Sequence, residues 1–174
     1  MYHATMMDVN EQVSYDLFDT PWGWVGVAFS ARGLRRLVLP RPTRAAAVGG
    51  LDLPPAAVLA PHETLRRGLT EFFQGNGSCP HVPVDLAGVE GFTRRVFAAA
   101  CAIPPGTTIT YAELARRAGS PRACRAAGQV MARNPIPIVI PCHRVVAATG
   151  PGGYGGGLAM KARLLALESK TGRG

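Results

Sequence analysis

The chain has 174 residues, of which 47% are hydrophobic, and it carries a formal net charge of +8. This length suits one moderate domain or two small ones, with enough apolar residues for a core. No apolar run approaches the roughly 20 residues that cross a bilayer, which excludes a membrane-spanning helix. Residues 1–12 lack a basic segment followed by an apolar stretch. We therefore expect no secretory signal and a cytoplasmic location, associated with the nucleoid if the partner is DNA.

The chain has four cysteines, and no two of them form a C-x-x-C pair. They are Cys79, Cys101, Cys124 and Cys142. A disulfide framework is not expected in a chain without a secretory signal. The spacings match no zinc pattern, and Cys79 and His81 have no evident partner pair, so we predict no metal site. The sequence predicts four free thiols, most of them buried.

The charge is unevenly distributed along the chain. Residues 1–88 contain seven Lys or Arg and eight Asp or Glu, whereas residues 89–174 contain twelve and three. A nearly neutral segment beside a strongly basic one favours contact with a polyanion through the second segment. A solvated basic surface is the alternative explanation.

The first part of the chain, predicted as a domain over residues 1–87, has the pattern of a small antiparallel sheet. Apolar and polar residues alternate over 12–40, which is typical of strands. Turn signals at Thr20-Pro21 and Arg32-Gly33 divide this stretch into two or three strands.

One helix accompanies the predicted sheet. Residues 40–60 are rich in Pro, Ala and Gly and predict an irregular connection. The next segment has apolar residues at helical spacing and ends at Gly75, which predicts a helix. Its apolar residues are Leu65, Leu69, Phe72 and Phe73. Residues 81–88 predict one further edge strand.

The second part, residues 88–174, is predicted to be all helical. Phe92, Val96, Phe97 and Ala100 share one helical face, and this helix stops before the Pro-Pro-Gly of residues 104–106. A final helix covers residues 158–169. Its apolar residues are Leu158, Leu164, Leu165 and Leu167.

Two short helices between these form a helix-turn-helix candidate. The first opens with a capping box of Thr110 and Glu113 and ends at Gly119. The second opens with Ser120 as N-cap and Pro121 as its first residue. A tight glycine turn between two helices is typical of this DNA-binding motif, although the pattern alone is a weak signal.

The second helix of this pair carries arginines among small residues. Arg122, Arg125 and Arg133 are spaced by Ala123 and its small neighbours, which let a helix approach a groove closely. Arginine supplies phosphate contacts, and few side chains here suit base edges, so the pattern favours sequence-independent DNA contact. An alanine-rich packing helix with exposed arginines is the alternative.

Cys142 and His143 follow a buried apolar run. A thiolate is the reactive form of cysteine, and a neighbouring base oriented by a carboxylate generates it. His143 is the candidate base, and Glu168 is one of three acids in the second part of the chain. Because neighbours in a strand point to opposite faces, contact requires a bend at Pro141 or a bridging water. A buried cysteine beside an incidental histidine is the alternative.

The segment around this pair resembles a known active-site signature. Residues 134–146 read NPIPIVIPCHRVV, and the I-P-C-H-R-V core is highly specific for the O6-alkylguanine-DNA alkyltransferases. Further matches are FTRRVFAAACAIPPGTTITYAELARRAGSP, RAAGQVMARNP and GGYGGGLAMKARLLALE. The resemblance is strong over residues 90–169 and looser over 12–86. It implies an α+β fold, with a ribonuclease H-like N-terminal domain and a winged-helix-like C-terminal domain with helix-turn-helix.

The resemblance implies a role for each matching residue of the reaction. Cys142 matches the cysteine that takes the alkyl group from O6 of guanine. His143 matches the base that acts on it through a water, and Glu168 matches the carboxylate that holds the histidine. Asn134 matches the asparagine that braces the turn before the active-site strand. Tyr111 matches the tyrosine that meets N3 of the flipped base, where protonation improves the leaving group.

The resemblance also implies the substrate and DNA contacts. Met131 and Tyr154 resemble pocket walls, and the carbonyls of Cys142 and Val145 match acceptors for the exocyclic amine of guanine. The backbone amide of Gly155 matches the donor to O6. Arg125 matches the arginine that fills the stack where the base was. The flanking DNA contacts are Arg122, Ala123 and Arg133.

The glycine-rich loop departs from the family pattern. Gly155 stands where several members have serine, and residues 152–157 contain five glycines. We expect a roomier and looser loop that tolerates bulky O6-alkyl groups. The neighbouring Arg144 is interpreted either as structural or as directed at a phosphate.

The implied activity is a single irreversible transfer without a cofactor, performed by a monomer on double-stranded DNA. O6-alkylguanine is the implied lesion, with O4-alkylthymine as a further candidate. A non-enzymatic lesion-binding protein is the alternative, but alkyltransferase-like proteins replace the reactive cysteine, usually with tryptophan. A thiol hydrolase using Cys142 and His143 is a third hypothesis, and it leaves Arg125 unexplained.

Overall fold

The computed structural model describes residues 12–171 and shows a mixed α+β fold. The interpretation of residues 1–12 as lacking a secretory signal concerns a segment that lies, except for residue 12, outside this range. The strands are β1 (Ser14–Thr20), β2 (Gly23–Ser30), β3 (Gly33–Arg41), β4 (Val58–Leu59), β5 (Ile109–Thr110) and β6 (Val145–Val146). The helices are α1 (Arg44–Gly49), α2 (Glu63–Gln74), α3 (Gly91–Cys101), α4 (Tyr111–Arg117), α5 (Cys124–Ala132) and α6 (Leu158–Thr171). None of these helices, of which α6 with 14 residues is the longest, has the length and apolar composition to cross a bilayer.

The predicted three-stranded antiparallel meander is confirmed. Strand β2 pairs with both β1 and β3, and the turns lie at the two predicted positions. Alternate residues of β2 face the core, so that Val25, Val27 and Phe29 are buried. The two-residue β4 pairs parallel to β1, which gives the order β3-β2-β1-β4.

The connection predicted to be irregular contains two short elements. Thr43 caps α1 because its Oγ1 accepts a hydrogen bond from the Ala46 amide at 3.1 Å. The expected edge strand over 81–88 is wrong, since this segment makes a single bridge between Val84 and Leu34. Pro83 has no N–H to donate, which removes one possible ladder hydrogen bond from this segment.

Helix α2 matches its prediction. Its four spaced apolar residues are all buried, and Gly75 ends the helix in a left-handed conformation. Tight packing of Trp22 on Phe73, with ring centroids 5.1 Å apart, joins this helix to the β1–β2 turn.

The prediction that the second part of the chain is all helical is wrong. Strand β5 pairs parallel with β6, and this pair joins the start of α4 to the segment after His143. The predicted capping by Thr110 is confirmed, since its Oγ1 accepts from the Glu113 amide at 3.2 Å. The side chain of Glu113 pairs instead with Arg116 and Arg117.

Helix α5 begins three residues later than predicted, at Cys124 instead of Pro121. Ser120 is not its N-cap, because the Ser120 carbonyl accepts from the Ala123 amide and forms a separate turn before the helix. Arg122 and Ala123 therefore precede α5, and Arg133 is its C-cap residue. Arg125 is the predicted DNA contact that lies within the helix.

Buried residues from both parts of the chain form one contiguous core cluster, from Phe18 in β1 to Leu164 in α6. The two parts also join at the surface, where the Arg163 guanidinium lies 3.7 Å from the Trp22 ring centroid. The Leu37 amide of β3 donates to the Pro135 carbonyl at 2.9 Å. The division at residue 87 stays a prediction.

Candidate active site and nucleic-acid interface

The apolar run before Cys142 is a tight turn rather than the predicted strand. Ile138 adopts a φ of 75°, a left-handed conformation that isoleucine rarely takes. Asn134 spans the turn, because its Nδ2 donates to the Ile140 carbonyl at 2.7 Å and its Oδ1 accepts from the Ile136 amide at 3.0 Å. These bonds hold a strained backbone in place next to the cysteine.

Cys142 begins a single 3-10 turn that ends at Arg144, so the bend predicted at Pro141 is confirmed. The cysteine is 7% exposed. Burial raises the pKa of the Cys142 thiol, although the Asn134 side chain and the local backbone amides oppose this effect. The resting thiol is therefore neutral, and a base must remove its proton before sulfur can act as a nucleophile.

His143, Arg144 and Glu168 form a buried network. The Nε2 atom of His143 lies 2.8 Å from Oε1 of Glu168. Arg144 donates from Nε to Oε2 at 2.9 Å and from Nη2 to Oε1 at 2.8 Å. Its Nη1 donates to the Ile103 carbonyl at 2.5 Å. Arg144 is 6% exposed, and its guanidinium donates to acceptors within the protein. The interpretation of Arg144 as a phosphate contact is therefore wrong, and its interpretation as a structural residue is correct.

The protonation state of Glu168 determines the tautomer of His143. Burial acts to raise the pKa of Glu168, but hydrogen bonds from His143 and Arg144 outweigh it and lower the pKa to about 2. An ionised carboxylate only accepts hydrogen bonds, so Nε2 of His143 carries the proton. In the neutral ring, Nδ1 then has a free lone pair. This atom is buried and has no hydrogen-bond partner within residues 12–171.

A cavity of about 460 Å³ opens onto Cys142. Its lining includes Tyr111, Met131, Tyr154 and Gly155, so four predicted residues converge on the cysteine. The volume is within the ~300–1,000 Å³ typical of small-molecule sites. The hydroxyl of Tyr154 is buried without a hydrogen-bond partner in the described residues, and burial raises its pKa. Burial also raises the pKa of Tyr111, whose hydroxyl lies 3.4 Å from the Gly153 carbonyl.

Sequence reasoning missed Lys161, which holds the wall of this cavity. Its Nζ donates to the carbonyls of Val145 at 2.6 Å and Pro151 at 2.5 Å, and lies 3.4 Å from that of Gly153. The side chain of Val145 is fully buried, and its carbonyl has one further lone pair for another donor. The sequence did contain a signal that Lys161 is buried, because helical spacing places it on the same face of the helix as Leu164 and Glu168.

Two loop glycines are required for packing, which limits the predicted roominess of this segment. A Cβ on Gly156 would lie 2.7 Å from Cδ1 of Leu39, and one on Gly152 would lie 2.9 Å from the Tyr111 ring. Gly152 also has a φ of 69°. Gly153 and Gly155 face open space.

The helix-turn-helix pair presents its basic residues to solvent. Helices α4 and α5 pack on each other, and Ala127 and Met131 bury one face of α5. Arg122, Arg125 and Arg133 are exposed, whereas Ala123 is half-buried. Gly128 and Met131 of the same helix line the cavity, so the basic surface and the cysteine site share α5. Within residues 12–171 no three His, Cys, Asp or Glu side chains cluster in a way that suits a metal ion.

Fold and site together define a class of protein: one with a buried cysteine that lines a cavity, next to a histidine–carboxylate pair and beside an exposed basic helix pair. Residues 91–170 match the family model of the 6-O-methylguanine DNA methyltransferase DNA binding domain. The human methylated-DNA–protein-cysteine methyltransferase is 37% identical over 93% of this chain and 83% of its own length. The chain belongs to the methylated-DNA–protein-cysteine methyltransferase family.

Mycobacterial relatives and structures agree with this membership. The enzyme of the same name from Mycolicibacterium paratuberculosis is 48% identical over 59% of this chain, and the match spans about three fifths (62%) of that relative. The structure of Mycobacterium tuberculosis O6-methylguanine methyltransferase matches with a TM-score of 0.73 at 34% identity, covering 91% of this chain and 93% of that one. The M. tuberculosis OGT complex with DNA matches with a TM-score of 0.76 at 33% identity, covering 90% and 92%.

Proposed function

We propose that this protein repairs DNA by moving an alkyl group from O6 of guanine to Cys142, once per molecule. The observation that carries the proposal is the buried Cys142 at a base-sized cavity, next to a histidine with a free Nδ1 lone pair. A damaged base inside a duplex is out of reach, so it must be flipped into this cavity. The names of the relatives and the DNA complex of the M. tuberculosis protein support the same activity.

The reaction begins with removal of the thiol proton. The Cys142 proton passes through one water molecule to Nδ1 of His143, which makes the ring an imidazolium. Glu168 stabilises this cation because its carboxylate already accepts from Nε2. The thiolate then attacks the alkyl carbon, the S–C bond forms and the C–O6 bond breaks.

The bonding electrons of the C–O6 bond go to guanine, which takes up a proton and leaves as the normal base. The Tyr111 hydroxyl assists at N3, and the backbone amide of Gly155 donates to O6. The carbonyls of Cys142 and Val145 accept from the exocyclic amine, and Met131 and Tyr154 form the walls. The thioether has no release step, so the protein acts once and needs no cofactor.

The basic surface holds the DNA during this step. Arg125, exposed on α5, enters the base stack in place of the flipped guanine. The backbone of double-stranded DNA is contacted by Arg122, Ala123 and Arg133. Binding through such contacts does not depend on the base sequence and weakens as the salt concentration rises. We also propose O4-alkylthymine as a second lesion, a monomeric state and a cytoplasmic, nucleoid-associated location.

The finer fold assignment belongs to the same proposal. The order β3-β2-β1-β4, with β4 parallel to β1, supports a ribonuclease H-like N-terminal sheet. The helix pair α4–α5 supports a winged-helix-like C-terminal domain, with the β5–β6 pair as its added feature.

Mass spectrometry tests the proposed function. After incubation with a duplex containing O6-methylguanine, we expect each protein molecule to gain one methylene on the peptide that contains Cys142. Cys142→Ser is the matched control and should stay unmodified, although Cys101 and Cys124 are exposed thiols. Repeated turnover would indicate a hydrolase. Tight binding by an unmodified protein would instead indicate lesion recognition without repair.

A further inference from the structure

A second cavity reaches Cys142 from the side of the N-terminal sheet. It has a volume of about 170 Å³, and one wall is formed by residues 36–39 and 41 of β3. The opposite wall includes Pro137 of the active-site turn and Tyr154 of the glycine-rich loop. Cys142 lines both this cavity and the larger one described above. Cys142 therefore lies where the two cavities meet.

The two cavities differ in their side chains. The larger one contains Tyr111 and Gly128 and no charged residue from the described part of the chain. The smaller one is lined by Arg36 and Arg41, and no described Asp or Glu lines it. Arg36 donates from Nε to the Gly50 carbonyl at 2.9 Å. Both arginines are exposed, and no carboxylate of residues 12–171 forms an ion pair with Arg41.

The loop that separates the cavities is held against β3. The approach of Gly156 to Leu39 fixes this part of the loop against the strand, because any larger residue would collide with Leu39. The N-terminal sheet thus contributes both a wall and two positively charged side chains to the smaller cavity.

We propose that the smaller cavity is a subsite for O6-alkyl substituents that end in an anionic group, such as a carboxylate, with Arg41 and Arg36 as specificity-determining residues. This inference rests on the proposed transfer to Cys142. In such a transfer the reacting carbon lies between Sγ and O6, and the rest of the alkyl group projects away from that line. A guanine in the larger cavity then directs the substituent past Cys142 towards β3.

The chemistry is the same as for a methyl group. With a carboxymethyl lesion the S–CH₂ bond forms, the CH₂–O6 bond breaks, and the proton lost by the thiol ends on guanine. The carboxylate stays on the transferred group. The guanidinium of Arg41 can form charge-assisted hydrogen bonds with it, which a neutral group of the same shape cannot match.

A matched pair of lesions tests this subsite. Transfer rates are measured on duplexes containing O6-carboxymethylguanine and O6-carbamoylmethylguanine, which have nearly the same shape but differ in charge. O6-methylguanine in the same duplex serves as the reference. We expect the carboxymethyl-to-carbamoylmethyl rate ratio to fall on the order of tenfold in the double variant Arg36→Gln/Arg41→Gln, with Arg41→Gln giving the larger part.

Arg35→Gln is the control, because Arg35 lies on the same strand and lines a different cavity. This variant loses the same charge and should keep the wild-type ratio. Equal slowing on all three lesions in Arg36→Gln/Arg41→Gln would show that these arginines bind DNA phosphates, which contradicts the subsite. Transfer with an unchanged ratio contradicts it as well. If the wild-type protein transferred no group from any of the three lesions, the proposed function itself would be contradicted.

Discussion

The two sides of the active-site segment differ in burial and in hydrogen bonding. On the interior side, His143, Arg144 and Glu168 are at most 6% exposed and hydrogen-bond to one another. On the side proposed to face DNA, Arg122 and Arg125 are exposed. In the proposed reaction, the interior network is complete before the substrate arrives, whereas the outer surface acquires its contacts from DNA.

This difference separates chemistry from recognition. Preorganised buried groups need no rearrangement at the moment of reaction, which favours catalysis. Exposed arginines gain their energy by neutralising phosphates, and this energy depends on salt. Substitutions in the interior should therefore affect stability and transfer together, and substitutions on the surface should affect DNA alone.

The largest expected effect separates the two sides completely. Cys142→Ala should abolish alkyl transfer because no sulfur remains, while affinity for an O6-methylguanine duplex is retained because the exposed surface is unchanged. Fluorescence anisotropy gives the affinity, and transfer of a radiolabelled methyl group gives the activity. Loss of affinity in parallel with activity would show that the two sides are not separable.

The next effect concerns the buried guanidinium. Arg144→Ala removes a positive charge and two hydrogen bonds from the buried Glu168 carboxylate, and it also removes the bond to the Ile103 carbonyl. We expect the free energy of unfolding to fall by ~3–5 kcal/mol, as for other broken buried ion pairs. Urea denaturation measures it, and Arg94→Ala, an exposed arginine of α3, is the control with a change of less than about 0.5 kcal/mol. A loss similar to the control would mean that Arg144 does not support the network.

A related effect appears in acid. The pKa of Glu168 is about 2 in the folded protein and near 4.5 in a free side chain. A lowered pKa contributes stability above pH 4.5, and this contribution is lost as the pH falls from 4.5 to 2. The loss should be on the order of 3 kcal/mol.

Glu168→Gln isolates this contribution. The variant should be less stable than wild type at pH 7, and the difference should shrink steadily between pH 4.5 and 2. Asp16, whose pKa is also lowered, is present in both proteins and its effect cancels. Stability curves that stay parallel down to pH 2 would contradict the ionised network.

The sequence predicted the parts of the molecule that depend on local pattern. The strands around the two turns and the helix that ends at Gly75 follow from alternation, helical spacing and turn residues. The cysteine, its histidine and Glu168 followed from a specific motif. These signals lie within short windows or within a recognisable signature.

The remaining features depend on contacts between distant residues. Arg144 pairs with Glu168, 24 positions away, and no local pattern distinguishes that pairing from a phosphate contact. The β5–β6 pair joins residues 109–110 to 145–146, so helical spacing on either side did not reveal it. The apolar run before Cys142 was predicted as a strand. It forms a turn instead, in which Asn134 bonds to the Ile140 carbonyl and Ile138 has a positive φ.

A smaller effect tests the outer surface. Arg125→Ala should slow transfer from a duplex by about 30-fold, because the flipped state loses the group that fills the stack and base flipping costs a few kcal/mol. Reaction with the free base O6-benzylguanine needs no flipping and should change less than twofold. Arg94→Ala, exposed on α3, controls for loss of one positive charge. Equal slowing on both substrates would show that Arg125 does not act in flipping.

The smallest effect separates two adjacent glycines of the cavity wall. Gly156→Ala places a Cβ 2.7 Å from Cδ1 of Leu39, so the Leu39 side chain, the loop or β3 must move. We expect a loss of about 1 kcal/mol, typical of mild overpacking. Gly155→Ala meets no atom within 4 Å and should be neutral, or slightly stabilising because it restricts the unfolded chain. Thermal unfolding measures both variants. Equal stability would mean that the loop does not rest on β3, and the wall shared by the two cavities would then lose its support.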